Sequence, residues 1–261
     1  MNRRKSVLIF GTVLAAMAML SLIAHAAITT TGLVGCWLFN EASGITAHDL
    51  SGFGDTGTLS GTLQGTAIFA SDPVRGQVLS INGISGNVGI PYASQLEPFS
   101  GTISVWVKPT LATTTDVVEH PTTTLLRCNR VVYSYAYGIR VYSTGMPMIQ
   151  VANDDPKTCV KSPQTVVYGS ANQVPLNQWT HLVMRWDGKS TLNLFVNGSL
   201  AGKGSYSPNP TKGLSYDGGQ GVSVGSSLTG TLEFGGSISD LRIYSRALSD
   251  TEISNIYALQ Q

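Results

Sequence analysis

Short runs of alternating apolar and polar residues recur along this sequence, separated by Gly, Asn, Pro or Ser. In residues 102–108 the alternation places Ile103, Val105 and Val107 on one face of an extended strand, because side chains alternate across a strand with a period of two. Helical periodicity is missing until the last dozen residues. The pattern predicts an all-β sandwich or barrel, and it excludes a parallel α/β sheet, which needs helices between its strands.

One hairpin and several further strands follow from the same pattern. Asn197-Gly198 lies between two extended runs, and both residue types tolerate the positive φ angles that a type I′ turn requires. Further strands are predicted at residues 78–81, 88–90, 138–142, 148–151, 180–186, 192–196, 222–224 and 237–244.

The C-terminal end predicts one short helix. Ser249 and Glu252 have the spacing of a capping box, in which each side chain bonds the other residue's backbone N–H. Ile253, Ile256 and Tyr257 then form one apolar face. We expect this helix to dock against a sheet.

The first 26 residues have the pattern of a secretory signal peptide. Three cations at positions 3–5 precede an apolar and small-residue run at 7–24, and Ala24-His25-Ala26 matches the small-x-small cleavage rule. We therefore expect a domain of residues 27–261 that is secreted and does not insert into a membrane. The run is also long enough for an uncleaved membrane anchor, and that alternative stays open.

The charge of the expected mature chain excludes one class of partner. Removing the three cations of the signal region leaves 13 Lys and Arg against 15 Asp and Glu, a formal charge of −2. Nucleic-acid binding draws on the release of counterions by clustered cations, which this sequence lacks. We therefore expect no nucleic-acid partner.

Three cysteines, Cys36, Cys128 and Cys159, lie in the expected mature chain. An exported protein with three cysteines is expected to hold one disulfide and one thiol, and we predict the disulfide between Cys128 and Cys159. Cys36 lies in an apolar run and is predicted to be a buried thiol. An alternative is a lipoprotein processed at Cys36, although some ten residues separate it from the apolar run.

Four stretches in this order resemble the laminin-G-like jelly-roll domains of the concanavalin A-like superfamily. They are GLVGCWLF at 32–39 with DLSGFG at 49–54, FSGTISVWVKP at 99–109, WTHLV at 179–183 through LFVNG at 194–198, and FGGSISDLRIYSRALS at 234–249. The resemblance implies a two-sheet antiparallel jelly-roll sandwich with the short C-terminal helix. It also implies glycan binding on the concave face or the rim loops, although such folds carry many functions.

The resemblance further implies a structural calcium ion between the first loop and the last strand. The matching positions are Asp49, the backbone carbonyl near Gly54, and Asp240. Calcium takes six to eight oxygen ligands, many of them from carboxylates and loop carbonyls. Phe53 and Asp55 replace the asparagines of the family pattern. The alternative is that both aspartates bond only to backbone groups and hold no metal.

The sequence lacks a recognisable catalytic motif, and we predict that the protein is not an enzyme. The closest approach to a carboxylate pair is Asp116 and Glu119, whose i,i+3 spacing is expected to point them to opposite faces, within a Thr-rich loop. His181 is predicted to be structural. No pair of histidines at zinc-ligand spacing is present.

The residues that most favour a ligand site are three tyrosines at a period of two, Tyr133, Tyr135 and Tyr137. They would form a row on one strand face, followed by Arg140 and Tyr142, and sugar rings stack on such aromatic faces. Polar partners are expected from the next loop, at Asn153, Asp154 and Asp155. Ordinary cross-strand packing of the tyrosines is the alternative.

The sequence therefore predicts a secreted, non-catalytic module that binds a glycan. An adhesive domain that contacts an extracellular or cell-surface protein is the second hypothesis, and a divergent glycan hydrolase or lyase is the third.

Overall fold

The computed structural model describes residues 28–260 except 61–66, 128–129, 153–163, 215, 217–218 and 228–231. At residues 122–134, apart from 128–129, and at residue 164, it describes the backbone. The predicted signal peptide and the predicted disulfide between Cys128 and Cys159 lie outside the described residues.

Strands dominate the described part of the chain, which ends in one α-helix. The strands are β1 (Leu33–Trp37), β2 (Thr46–Ala47), β3 (Gly57–Leu59), β4 (Ala67–Asp72), β5 (Gly76–Asn82), β6 (Val88–Ile90), β7 (Gly101–Pro109), β8 (Thr115–Arg127), β9 (Arg130–Val141), β10 (Pro147–Ala152), β11 (Gln164–Tyr168), β12 (Thr180–Trp186), β13 (Thr191–Val196), β14 (Ser199–Ser205), β15 (Val222–Val224) and β16 (Gly235–Tyr244). The α-helix is α1 (Asp250–Leu259), and a 3₁₀ turn spans Ser94–Leu96.

Two antiparallel sheets form a sandwich. Sheet 1 has the order β14-β13-β12-β7-β16-β5-β4, with β1 also paired to β16, and sheet 2 has the order β11-β10-β9-β8-β15-β6-β3-β2. Their inner faces share one core, in which Tyr137 of sheet 2 stacks on Trp186 of sheet 1 with ring centroids 5.6 Å apart. The predicted fold, an all-β jelly-roll sandwich with one C-terminal helix, is confirmed.

Local signals in the sequence produce several of these elements directly. Ile103, Val105 and Val107 are fully buried on the inner face of β7, as the alternation predicts. Asn197 and Gly198 have φ angles of 50° and 74°, the positive values that the predicted turn between β13 and β14 requires.

Helix α1 covers part of the outer face of sheet 1. The capping box of Ser249 and Glu252 is formed as predicted. Ile253 and Ile256 pack against Val183 and Phe195, which point outward from β12 and β13. Burying each isoleucine contributes about 1.5–3 kcal/mol, so the helix is held by its apolar face.

The Cys36 thiol is buried in β1, as predicted. It is a free cysteine, and burial raises the pKa of its thiol to about 11. A buried thiol in the middle of a paired strand does not fit a lipidated cysteine at a chain start. In the part of the chain that the structure describes, no helix has the length and hydropathy needed to cross a membrane.

Candidate functional site

A bulge in β8 brings two carboxylates to the same face of sheet 2. Asp116 pairs with Arg140 of β9 and Glu119 pairs with Gly138, with a register shift between Asp116 and Val118. The extra residue reverses the inward–outward alternation of side chains along β8 once, so Asp116 and Glu119 both point away from the core. The prediction that their spacing separates them in a loop is therefore wrong.

Arg140 and Asp116 form a largely buried ion pair with two hydrogen bonds on this outer face. Arg140 Nε donates to Asp116 Oδ1 at 2.6 Å and Nη2 donates to Oδ2 at 3.1 Å. The two side chains are 17% and 3% exposed. Burial opposes the charge of Arg140, but the hydrogen bonds to Asp116 outweigh burial and raise the pKa of the guanidinium.

Tyr135 joins this pair because of a second bulge. The register of β8 and β9 shifts between the pairs His120–Tyr137 and Pro121–Tyr135, which turns Tyr135 to the outer face. The guanidinium carbon of Arg140 lies 5.9 Å from the centre of the Tyr135 ring. Burial raises the pKa of Tyr135, and the charges of Glu119 and Asp116 raise it further.

Tyr137 does not belong to a tyrosine row, and that prediction is corrected. Its side chain is 0% exposed, its hydroxyl donates to the carbonyl of Leu96 at 3.0 Å, and its ring stacks on Trp186. The bulge beside Tyr135 separates the two residues to opposite faces of sheet 2. Tyr137 is a core residue, so it cannot contact a ligand in this fold.

A second pair of tyrosines lies farther along the outer face. Tyr168 of β11 pairs with Met148, which in turn pairs with Arg140, so these residues form one row across the sheet. The rings of Tyr142 and Tyr168 lie 6.1 Å apart, and the Tyr168 side chain is 49% exposed. A hydrogen bond with Tyr142 raises the pKa of Tyr168. We call Tyr135, Arg140, Tyr142 and Tyr168, with Asp116 beneath them, the tyrosine surface.

A buried polar row runs beside the tyrosine surface. Glu119 pairs with Gly138 on one side and with Ser223 of β15 on the other, and Gly138 pairs with Gln150 of β10. The Gln150 side chain lies over Gly138, with its Nε2 3.3 Å from where a Cβ would be. These residues supply hydrogen-bonding groups on the same outer face. Of them, sequence reasoning missed Gln150 and Ser223, and it also missed Tyr168.

Other predicted ligand residues cannot be compared with this arrangement. Tyr133 lies in β9, but its side chain is outside the described residues, as are Asn153, Asp154 and Asp155. Of the predicted ligand set, Tyr135 and Arg140 are brought together and Tyr137 is not.

The Asp49 carboxylate is occupied by hydrogen bonds within its own loop. Its Oδ1 accepts from the backbone N–H groups of Cys36 and Ser51, each at 2.9 Å. Its Oδ2 accepts from the Ser51 hydroxyl at 2.7 Å and from the backbone N–H groups of Gly54 and Asp55 at 2.9 and 3.1 Å. These bonds outweigh burial and lower the pKa of Asp49.

Asp240 is held by cationic and amide groups. Arg242 Nε donates to its Oδ1 at 2.8 Å, the Gln260 side-chain amide donates to its Oδ2, and Arg75 Nη2 lies 3.7 Å from Oδ2. Asp240 sits at a bulge of β16 with a φ angle of 56°. The arrangement satisfies the carboxylate without a metal.

The predicted calcium positions therefore do not match the chemistry of a calcium site. Calcium takes six to eight oxygen ligands, whereas the oxygens of both carboxylates are engaged by N–H donors and Asp240 also lies against two arginines, whose charge opposes a bound cation. The Gly54 carbonyl accepts from the Thr56 backbone N–H at 2.8 Å. Among the described residues no group of three or more His, Cys, Asp or Glu side chains could hold a metal ion.

Comparison with known families agrees with the architecture. A laminin-G family model, described as the Concanavalin A-like lectin/glucanases superfamily, matches residues 82–254. The chain belongs to this superfamily. The resemblance drawn from the four sequence stretches is thus confirmed for a concanavalin A-like domain.

Solved structures with the same fold include a domain of an arabinanase and part of a sialidase. Domain 4 of AbnA, an extracellular arabinanase from Geobacillus stearothermophilus solved in complex with arabinotriose, is 20% identical, with a TM-score of 0.61 over 86% of this chain and 98% of that one. Trypanosoma rangeli sialidase in complex with sialic acid is 16% identical, with a TM-score of 0.63 over 90% of this chain. The match spans 34% of the sialidase chain. At these identities the likeness shows the fold alone.

A comparison with curated proteins returned no significant match.

Removing divalent metal from the concanavalin A-like domain is expected to leave its stability unchanged. Asp49 and Asp240 are satisfied by N–H donors, so no binding free energy would be lost with the metal. The measurement is the midpoint of thermal unfolding with EDTA, with added calcium, and with neither. A midpoint that falls by more than about 5 °C with EDTA and returns with calcium would restore the predicted site.

Proposed function

We propose that this protein is a secreted, non-catalytic module that binds glycans through the tyrosine surface. The single observation that carries the proposal is the Tyr142–Tyr168 pair, with Tyr168 half exposed, beside the Arg140–Asp116 ion pair. Secretion rests on the signal-peptide pattern of residues 1–26.

The chemistry of the tyrosine surface suits a sugar ring. Tyrosine presents an apolar ring face with a polar hydroxyl at its edge, and sugars present apolar C–H faces edged by hydroxyls. Arg140 supplies donors within the same row, and Asp116 holds its guanidinium in place. Their mutual hydrogen bonds keep these groups in one geometry, which lowers the entropy lost on binding.

The comparisons support the ligand class at the level of the fold. An arabinanase domain of this fold was solved with arabinotriose, so arabino-oligosaccharides are a rational first probe.

Replacing Tyr168 by alanine is expected to weaken glycan binding at least tenfold, about 1.4 kcal/mol, because the sugar would lose the exposed ring on which it stacks. Binding is measured by a glycan array that includes arabino-oligosaccharides, followed by calorimetry on any hit. Tyr92, 44% exposed and outside the tyrosine surface, gives the matched control Tyr92→Ala. Equal affinities in wild type and Tyr168→Ala would refute the tyrosine surface as the site, and a pull-down partner without any glycan hit would favour the adhesive hypothesis.

A second candidate function is glycan cleavage, and one observation favours it. Asp116 and Glu119 share the outer face, and paired carboxylates flanking one bond are the catalytic groups of most glycosidases. The engagement of Asp116 by Arg140 argues against this role, since both of its oxygens are occupied. Reducing ends released by wild type but not by Glu119→Gln would replace the non-catalytic proposal with a hydrolase.

A further inference from the structure

A cavity of about 240 Å³ lies on the far side of the sandwich from the tyrosine surface. It forms where the turn between β4 and β5, the bulge of β16 and the end of α1 meet. Arg75, Gln77, Asp240 and Gln260 supply polar groups to its wall. Val74, which is 71% exposed, stands at its edge.

Arg75 is the central cation of this cavity. Its guanidinium lies 4.2 Å from the ring centre of Trp106, and its side chain is 9% exposed. Nη1 donates to the Gln260 carbonyl at 2.5 Å, whereas Nη2 reaches Asp240 only at 3.7 Å. Its Nε has no hydrogen-bond partner in the described part of the chain. The guanidinium therefore retains donor capacity.

The charges around Arg75 are incompletely balanced. The carboxylates that act on it are Asp240 and Asp72, and each is already engaged by another cation, Arg242 and Lys108 respectively. Among the residues that the structure describes, three cations thus share two carboxylates. Burial lowers the pKa of Arg75, and Arg242 lowers it further, against the raising effect of both carboxylates. A buried cation in this situation is stabilised by one additional anion.

The rest of the wall limits the size and kind of anion. A cavity of about 240 Å³ has room for a ligand of the size of one sugar ring but not for an oligosaccharide. Gln77 Oε1 is buried without a hydrogen-bond partner among the described residues, so a hydroxyl would satisfy it. Leu38 and Val74 add apolar surface. A small hydroxylated ring that carries a carboxylate fits the cation, the free amide oxygen and the apolar surface, when its charge faces Arg75 and its hydroxyls face Asp240.

We propose that this cavity binds the carboxylate of a single acidic sugar residue through Arg75. The carboxylate accepts hydrogen bonds from the guanidinium, whose planar fork matches its geometry. The site is independent of the tyrosine surface, because it lies on sheet 1 and selects charge rather than ring stacking. A module with both sites would hold two glycan segments at once.

Titration with D-galacturonate tests this site, and D-galactose is the matched neutral probe. Heteronuclear NMR follows the Arg75 Nε–H resonance and the Trp106 indole N–H resonance in the full chain. We expect saturable shifts with galacturonate and at least tenfold weaker binding of galactose. Equal binding of the two sugars, or no shift with galacturonate, overturns the proposal.

A filling substitution separates this cavity from surface binding elsewhere. Val74→Trp places a bulky ring at the exposed edge and leaves the buried Arg75 contacts in place, so it is expected to fold and to lose at least tenfold in galacturonate affinity. Ile84→Trp is the control, since Ile84 is equally exposed, at 74%, and does not line the cavity. Galacturonate affinity that is unchanged in Val74→Trp contradicts the assignment.

Discussion

Replacing Tyr137 by alanine is expected to lower the free energy of unfolding by about 3–5 kcal/mol. The ring is fully buried between the two sheets, stacks on Trp186 and donates its hydroxyl to the Leu96 carbonyl. Its removal leaves a cavity and an unpaired carbonyl in the shared core. Urea unfolding, followed by tryptophan fluorescence and circular dichroism, measures the change.

Tyr135→Ala is the matched control for this core substitution. Tyr135 lies two residues away on the same strand but points to the outer face beside Arg140. We expect it to cost about 1 kcal/mol, the typical value for a point substitution. Similar losses in the two variants would contradict the bulge that separates their side chains.

Acidification from pH 7 to pH 5 is expected to destabilise the protein through His181. This side chain is 0% exposed, its Nε2 lies 2.7 Å from the Ser104 hydroxyl, and its ring stacks on Trp106. Burial, with the charges of Arg75 and Arg242, lowers the pKa of His181 to about 3.

The direction of the pH effect follows from the pKa of His181 in the folded and in the unfolded chain. Unfolded histidine has a pKa of about 6.5, so between pH 6.5 and about 3 the unfolded chain binds a proton that the folded chain excludes. Above pH 6.5 the ring is neutral in both states, and the free energy of unfolding has its full value. It decreases by about 1.4 kcal/mol per pH unit as the pH falls toward 3.

Urea unfolding at pH 7, 6.5, 6, 5.5 and 5 measures this slope. His181→Gln is expected to flatten it, and the exposed His48→Gln is expected to leave it unchanged. Asp72 and Glu252 have pKa values lowered to about 2, so their own contributions fade only below about pH 4.5. A slope that persists in His181→Gln would assign the effect to other groups.

The sequence by itself determined the features that depend on neighbouring residues. Alternation in β7 set the buried face at Ile103, Val105 and Val107, because side-chain direction in a strand repeats every two residues. Asn197-Gly198 set the hairpin turn, and Ser249 with Glu252 set the helix start, because each works through contacts within a few residues. The order of such stretches was enough to indicate the concanavalin A-like fold.

Only the tertiary structure decided which side chains form the candidate sites. The bulge in β8 brings Asp116 and Glu119 together on the outer face of the sheet. The bulge in β9 turns Tyr135 to that outer face while Tyr137 points into the core. Such bulges depend on the register of two strands, which no single segment of sequence specifies. Tyr168 joins Tyr142 across β10 and β11, and Arg75 meets Asp240 and Gln260 from distant parts of the chain. Contacts between residues far apart in sequence exist only once the sheets have paired.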